Sequence, residues 1–181
     1  MANNCYFNMH ITSKNSTEGI LKILTGISAM DEEELNPKTF EVVHLGRIFS
    51  SWCYGKGKRK DNTFYAYADG DCAWSFQSAI LDKGLLQQII KEYKLSVEVY
   101  TEEPGVGFAE HYLWIDGELV VDQCVDLSLW SVYDLEEEDL EDFLSDSDVQ
   151  GAGITKENYL DKADENGDIR VGGFEEVWTV E

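Results

Sequence analysis

The chain has 181 residues, 43% hydrophobic and 12% aromatic, which is enough to bury a core and excludes overall disorder. Its 36 acidic residues outnumber 14 basic ones, giving a formal net charge of −22. No run approaches the roughly 18 apolar residues of a membrane span, and Met1–Cys5 lacks the basic and apolar regions of a secretory signal, so a cytosolic protein is expected.

Cys5–Thr12 alternates apolar and polar residues and predicts a strand. Ser16 offers an N-cap for a helix over Thr17–Ala29, where Ile20, Ile23, Leu24 and Ile27 recur at helical spacing. Asp31–Pro37 reads as an acidic loop and Thr39–Leu45, rich in β-branched residues, as a strand. Residues 46–62 look irregular and hold the basic cluster Lys56-Gly57-Lys58-Arg59-Lys60. Thr63–Ala68 and Cys72–Phe76 read as strands around an Asp69-Gly70-Asp71 turn. Ser78–Lys94 predicts a second amphipathic helix with an irregularity at Gly84, and Leu95–Thr101 another strand.

The clearest local signal follows. Phe108–Ile115 and Glu118–Val125 are strand-like and joined by Asp116-Gly117, a pair suited to a type I′ hairpin. The order β-α-β-β-α-β plus a hairpin predicts an α+β, ferredoxin-like sandwich over residues 1–126, with both helices on one face of an antiparallel sheet. Residues 127–181 form an acidic C-terminal extension packed on it, with a helix over Asp134–Leu144 and a closing strand over Phe174–Val180.

Residues 2–126 resemble the YubB-like ferredoxin-fold proteins carried by plasmids and phages. The resemblance rests on the opening Ala2-Asn3-x-Cys5 strand, the Trp52-centred loop, the Ala73-Trp74-Ser75 segment before the second helix, Val99-Tyr100-x-Glu102 with Gly107-Phe108 beyond it, and the Asp116-Gly117 hairpin. It implies the fold and a mobile-element origin in a bacterial host, and no particular chemistry.

The charge is unevenly placed. Residues 1–94 carry 11 acids and 11 bases, whereas Leu95–Thr155 carries 17 acids and no Lys or Arg. Duplex DNA presents about one negative charge per 1.7 Å of axis. A helix over 134–144 would be about 16 Å long and display Asp134, Glu136, Glu137, Glu138, Asp139, Glu141 and Asp142. Glu102, Glu103, Asp116, Glu118, Asp122, Asp126, Asp146 and Asp148 extend the same field. These fifteen residues are the candidate partner-binding set. The partner they fit is a basic nucleic-acid-binding protein, with direct DNA binding and membrane contact not expected. In general character the chain resembles acidic type II anti-CRISPR proteins, which implies a Cas9-type effector or another defence nuclease as target. A solvated surface without specific meaning is the competing interpretation.

Asp164, Asn166 and Asp168, then Glu175, fall at positions 1, 3, 5 and 12 of a calcium-binding loop. Ile169 stands where that loop needs glycine, so a polar Asn166-Gly167 turn competes with calcium binding. Cys5, Cys53, Cys72 and Cys124 have no C-x-x-C spacing and read as reduced thiols rather than zinc ligands. There is no P-loop, dinucleotide fingerprint, H-E-x-x-H or G-x-S-x-G, so neither an enzyme nor a cofactor is expected. The alternative function is a mobile-element accessory protein that binds nucleic acid through the sheet, or metal through residues 164–175.

Overall fold

The computed structural model describes residues 4–30, 43–133 and 135–180. It is an α+β structure built on one open, wholly antiparallel sheet of seven strands. The strands are β1 (Asn4–Ser13), β2 (Ile48–Lys58), β3 (Phe64–Ala73), β4 (Ser96–Glu103), β5 (Phe108–Ile115), β6 (Glu118–Ser131) and β7 (Asp168–Gly172). Their spatial order is β2-β3-β1-β4-β5-β6-β7. The helices are α1 (Glu18–Gly26), α2 (Phe76–Ala79), α3 (Leu85–Tyr93), α4 (Glu137–Ser145), α5 (Ser147–Gly151) and α6 (Tyr159–Lys162).

Alternation along β1 explains the main core. Cys5, Phe7, Met9 and Ile11 are buried toward the helices, while Tyr6, Asn8 and His10 face the other way. Ile20, Ile23, Leu24 and Ile27 from the α1 region and Leu86 and Ile90 from α3 meet that row, so both helices cover the same face. A smaller second core gathers Val132, Leu140, Phe143, Val149, Ile154, Ile169 and Val171 around β6, β7, α4 and α5. β6 runs without interruption through residue 126, from the Asp116-Gly117 hairpin to the second core.

Several elements depart from the sequence reading. The second strand is Ile48–Lys58, within the stretch expected to be irregular; Val43–Leu45 is not a strand, and 39–42 lie outside the described residues. Gly55 and Gly57 sit opposite Tyr67 and Tyr65, whose rings fill the space their missing side chains leave. Asp69-Gly70-Asp71 is no turn but the middle of β3. A Cβ on Gly70 would collide with the Ser50 carbonyl oxygen and the Phe7 ring, so this glycine serves close packing. The second helix is broken into α2, a 3₁₀ turn at Leu81–Lys83 and α3, because Gly84 adopts φ +71°. The first helix starts at Glu18, and Ser16 does not cap it; the Ser13 hydroxyl accepts from the Asn15 and Ser16 amides instead.

Residues 174–180 form no strand. They cross the sheet face opposite the helices without joining a ladder: Trp178 lies on His10, and Tyr100 donates to the Val177 carbonyl at 3.1 Å. The hairpin stands as the sequence has it, with Asp116 at φ +48° and Gly117 at φ +94°. It is fastened to the start of β4 by Gly117 N–H to the Leu95 carbonyl and Asp116 N–H to the Ser96 hydroxyl.

Candidate interaction surface

β6 and α4–α5 carry most of the candidate acids. On β6, Asp122 and Asp126 stand opposite Tyr112 and Phe108, on the helix-bearing face, and both are exposed. Glu118 is exposed at the hairpin. In α4 the apolar edge Leu140 and Phe143 packs into the second core, which fixes the opposite side outward. Glu136, Asp139, Glu141 and Asp142 are accordingly exposed. Glu137 and Glu138 belong to the first turn of α4. Asp134 lies outside the described residues.

Asp146 is half-buried and serves its own helix. Its Oδ1 accepts from the Asp148 and Val149 amides at 2.9 and 3.2 Å, capping α5. Asp148 is exposed and, with Asp126, borders a shallow groove of about 350 Å³ that also touches Ser147 and Gly172. The acids of β6 and α5, separate in sequence, therefore share one surface.

Three candidates differ from expectation. Glu103 is buried, 1% exposed, because the Pro104–Gly107 turn folds back over it and its carboxylate accepts the Val106 N–H. It is a structural cap and leaves the interaction surface. Glu102 is half-buried and ion-paired with Arg170 of β7. Asp116 forms an exposed ion pair with Lys14 at 3.2 Å, a contact of small energetic weight. Among the described residues, Glu118, Asp122, Asp126, Glu136, Asp139, Glu141, Asp142, Asp146 and Asp148 have no cationic partner within ion-pair distance.

At the proposed calcium loop, Asp164 and Asn166 are exposed, Asp168 is half-buried and starts β7, and Glu175 is exposed on the C-terminal segment. Asp164 Oδ1 accepts from the Asn166 and Asp168 amides at 2.8 and 3.0 Å, and these donors hold its carboxyl below the usual range. Gly167 takes φ +83°, so the segment is a side-chain-stabilised turn leading into β7. Ile169, at the glycine position, is 2% exposed in the second core. Among the described residues, no group of three or more His, Cys, Asp or Glu is placed to hold a metal ion.

Sequence reasoning missed two buried carboxylates, Glu98 on β4 and Glu110 on β5, which face opposite sides of the sheet. Glu98 is fully buried and accepts from the Thr179 and Val180 amides at 2.5 and 2.9 Å, with His111 Nε2 at 3.0 Å. Glu110 accepts from Phe76 N–H at 2.8 Å and from the hydroxyls of Thr101 and Tyr112 at 3.1 and 3.0 Å. Burial, reinforced by Glu110, drives the Tyr112 phenol upward. The only signal for Glu98 was its place between Val97 and Val99, which put it on the face away from the helices.

That face also carries a chain of rings. Tyr65 and Tyr67 lie 5.1 Å apart, Tyr67 and His10 4.3 Å, and His10 and Trp178 3.6 Å, followed by Tyr100 and His111. The basic cluster adjoins it: Arg59 donates to the Tyr67 hydroxyl at 2.9 Å and lies over the Tyr65 ring. The described residues contain no helix long and apolar enough to cross a membrane. No family model, curated protein or solved structure matches the chain.

Proposed function

We propose that this protein is an acidic mimic of nucleic acid that inhibits a host-defence nuclease, an anti-CRISPR protein acting on a Cas9-type effector being the leading version. The observation that carries this reading is the outward display of Asp122, Asp126, Glu136, Asp139, Glu141, Asp142 and Asp148 from a segment devoid of Lys and Arg. Packing of Leu140 and Phe143 beneath α4 supports a rigid array rather than a loose acidic tail. Effectors of this type hold heteroduplex in a cationic channel and read a short duplex motif with arginines, so an array of carboxylates suits both surfaces. The scaffold is read as a ferredoxin-like β-α-β-β-α-β unit, an assignment favoured by the order β2-β3-β1-β4 and by two helices on one face, extended by β5–β7.

The test is a DNA-cleavage assay with a guide-loaded Cas9-type effector, comparing the native protein with the E136K/D139K/E141K/D142K variant. Inhibition should be strong and salt-sensitive for the native chain and lost in the variant. The control reverses Glu18, Asp61, Asp82 and Glu92, which lie outside the array. Equal loss in both variants means bulk charge alone acts, and no inhibition by the native protein removes this target.

A second reading, a nucleic-acid-binding accessory protein, is favoured by the Tyr65–Tyr67 pair beside Arg59. Submicromolar binding of single-stranded nucleic acid by the free protein at about 0.15 M salt, lost in Y65A/Y67A, would replace the inhibitor reading with this one.

A further inference from the structure

β5 accompanies β6 from Glu118 to Asp126, with a bulge at Val120, but β7 covers only Leu127–Ser131 on the other side. The first bond at that side near the boundary is Gly173 N–H to the Asp126 carbonyl at 2.9 Å. Among the described residues, no main-chain hydrogen bond reaches the outer edge of Glu118–Val125. An antiparallel edge strand points alternate N–H and C=O groups outward, where they can template another strand. Proteins commonly blunt such an edge with Lys, Pro or a bulge; this stretch has neither Lys nor Pro, its bulge is confined to Val120, and the ladder runs regularly from Val121 to Asp126, with Leu119 and Val120 50% and 60% exposed beside it.

We propose that the Glu118–Val125 edge binds an extended segment of a basic partner by strand addition; this rests on the partner being basic, as the inhibitor reading requires. The side chains define the segment. Asp122 and Asp126 project from one face of β6, about 13 Å apart at 3.3 Å per residue, with Val121 and Val125 half-buried on the other. The complementary strand carries Lys or Arg on one face and aliphatic residues on the other. Its cations continue toward Asp148, which borders the same groove as Asp126. A second copy of this chain is the poorer occupant, since each copy carries −22 and pairing centred on Asp122 sets that carboxylate against its twin.

The probe is an acetylated, amidated octapeptide of alternating lysine and valine, titrated into the full chain and followed by amide NMR and calorimetry. Binding should shift the Glu118–Val125 amides. It should weaken about tenfold or more when alternate peptide nitrogens are N-methylated, because the ladder bonds are lost while charge is kept. D122K/D126K should weaken it further and fold normally, both residues being exposed. Equal affinity of the N-methylated peptide, absence of binding, or a concentration-dependent dimer protecting these amides would each overturn the proposal. The assay contains no nuclease, so peptide binding without nuclease inhibition refutes the inhibitor reading alone, and inhibition without peptide binding refutes the edge alone.

Discussion

The indole of Trp178 lies flat on the imidazole of His10, centroids 3.6 Å apart and planes inclined by 13°, tying the C-terminal segment to the first strand. This contact joins opposite ends of the sequence across the sheet face that the helices leave bare. A double-mutant cycle of His10→Ala and Trp178→Ala should give a coupling of about 1 kcal/mol, the scale of aromatic pairs beyond their buried area. Urea unfolding of the four proteins measures it, and additivity would mean that the rings merely sit side by side.

Glu98 is the polar anchor of the same segment. Glu98 is itself fully buried, and Glu98→Ala leaves the Thr179 and Val180 amides and His111 without their acceptor. The expected cost is about 3–5 kcal/mol, with hydrogen exchange of the Thr179 and Val180 amides rising at the same time. Loss of stability without faster exchange at those two amides would place the anchor elsewhere.

Asp69 should show a pH signature of the opposite sign to Asp164. Burial raises its carboxyl above the ordinary range, and among the described residues its Oδ1 has no hydrogen-bond partner. The folded state then favours the protonated form, so stability is lost as pH rises through the folded value. Asp69→Asn should therefore be more stable than the native chain at pH 7, the difference vanishing below the unfolded value near pH 3.9. Thermal melts at a series of pH values decide this; a constant difference would show that the carboxylate's charge is not the cause.

Phe143 is fully buried and packs edge-on against Trp130 at 5.3 Å. Phe143→Ala should cost about 3–5 kcal/mol through the cavity it leaves. Because the residue belongs to the smaller core, amide protection should fall first over α4, α5 and β7 while β1, β3 and β4 stay protected. Uniform loss of protection would make the two cores one cooperative unit.

The sequence disclosed more of the fold than of the surface. Alternation in Cys5–Thr12, spacing in α1 and the Asp116-Gly117 pair are local signals, and each produced the expected element. Gly70 misled, and Gly55 and Gly57 gave no strand signal, because their role depends on rings and carbonyls supplied by other strands, which local turn propensity does not register. Ile48–Lys58 was unreadable as a strand for the same reason. Of the acids, the exposed ones on α4 followed from Leu140 and Phe143, but the burial of Glu103 depended on a turn folding back over it. Glu98 was hidden because the amides that donate to it lie 81 and 82 residues away in sequence.

That separation bears on how the protein is made. On a translating ribosome, Glu98 leaves the exit tunnel well before Thr179 and Val180 are polymerised, so the nascent sheet must wait with one face wet. Domains generally fold as units while the chain emerges, yet here the two amides that seal β4 are added 81 and 82 residues after the carboxylate they serve. The residues of the helix-covered side are all made before Thr179 and Val180, whereas the opposite side can close only once those two have been added. Termination between Trp114 and Phe174 would yield a chain that has every residue of its first core but leaves a carboxylate and several rings stranded in solvent, a ready substrate for cellular quality control.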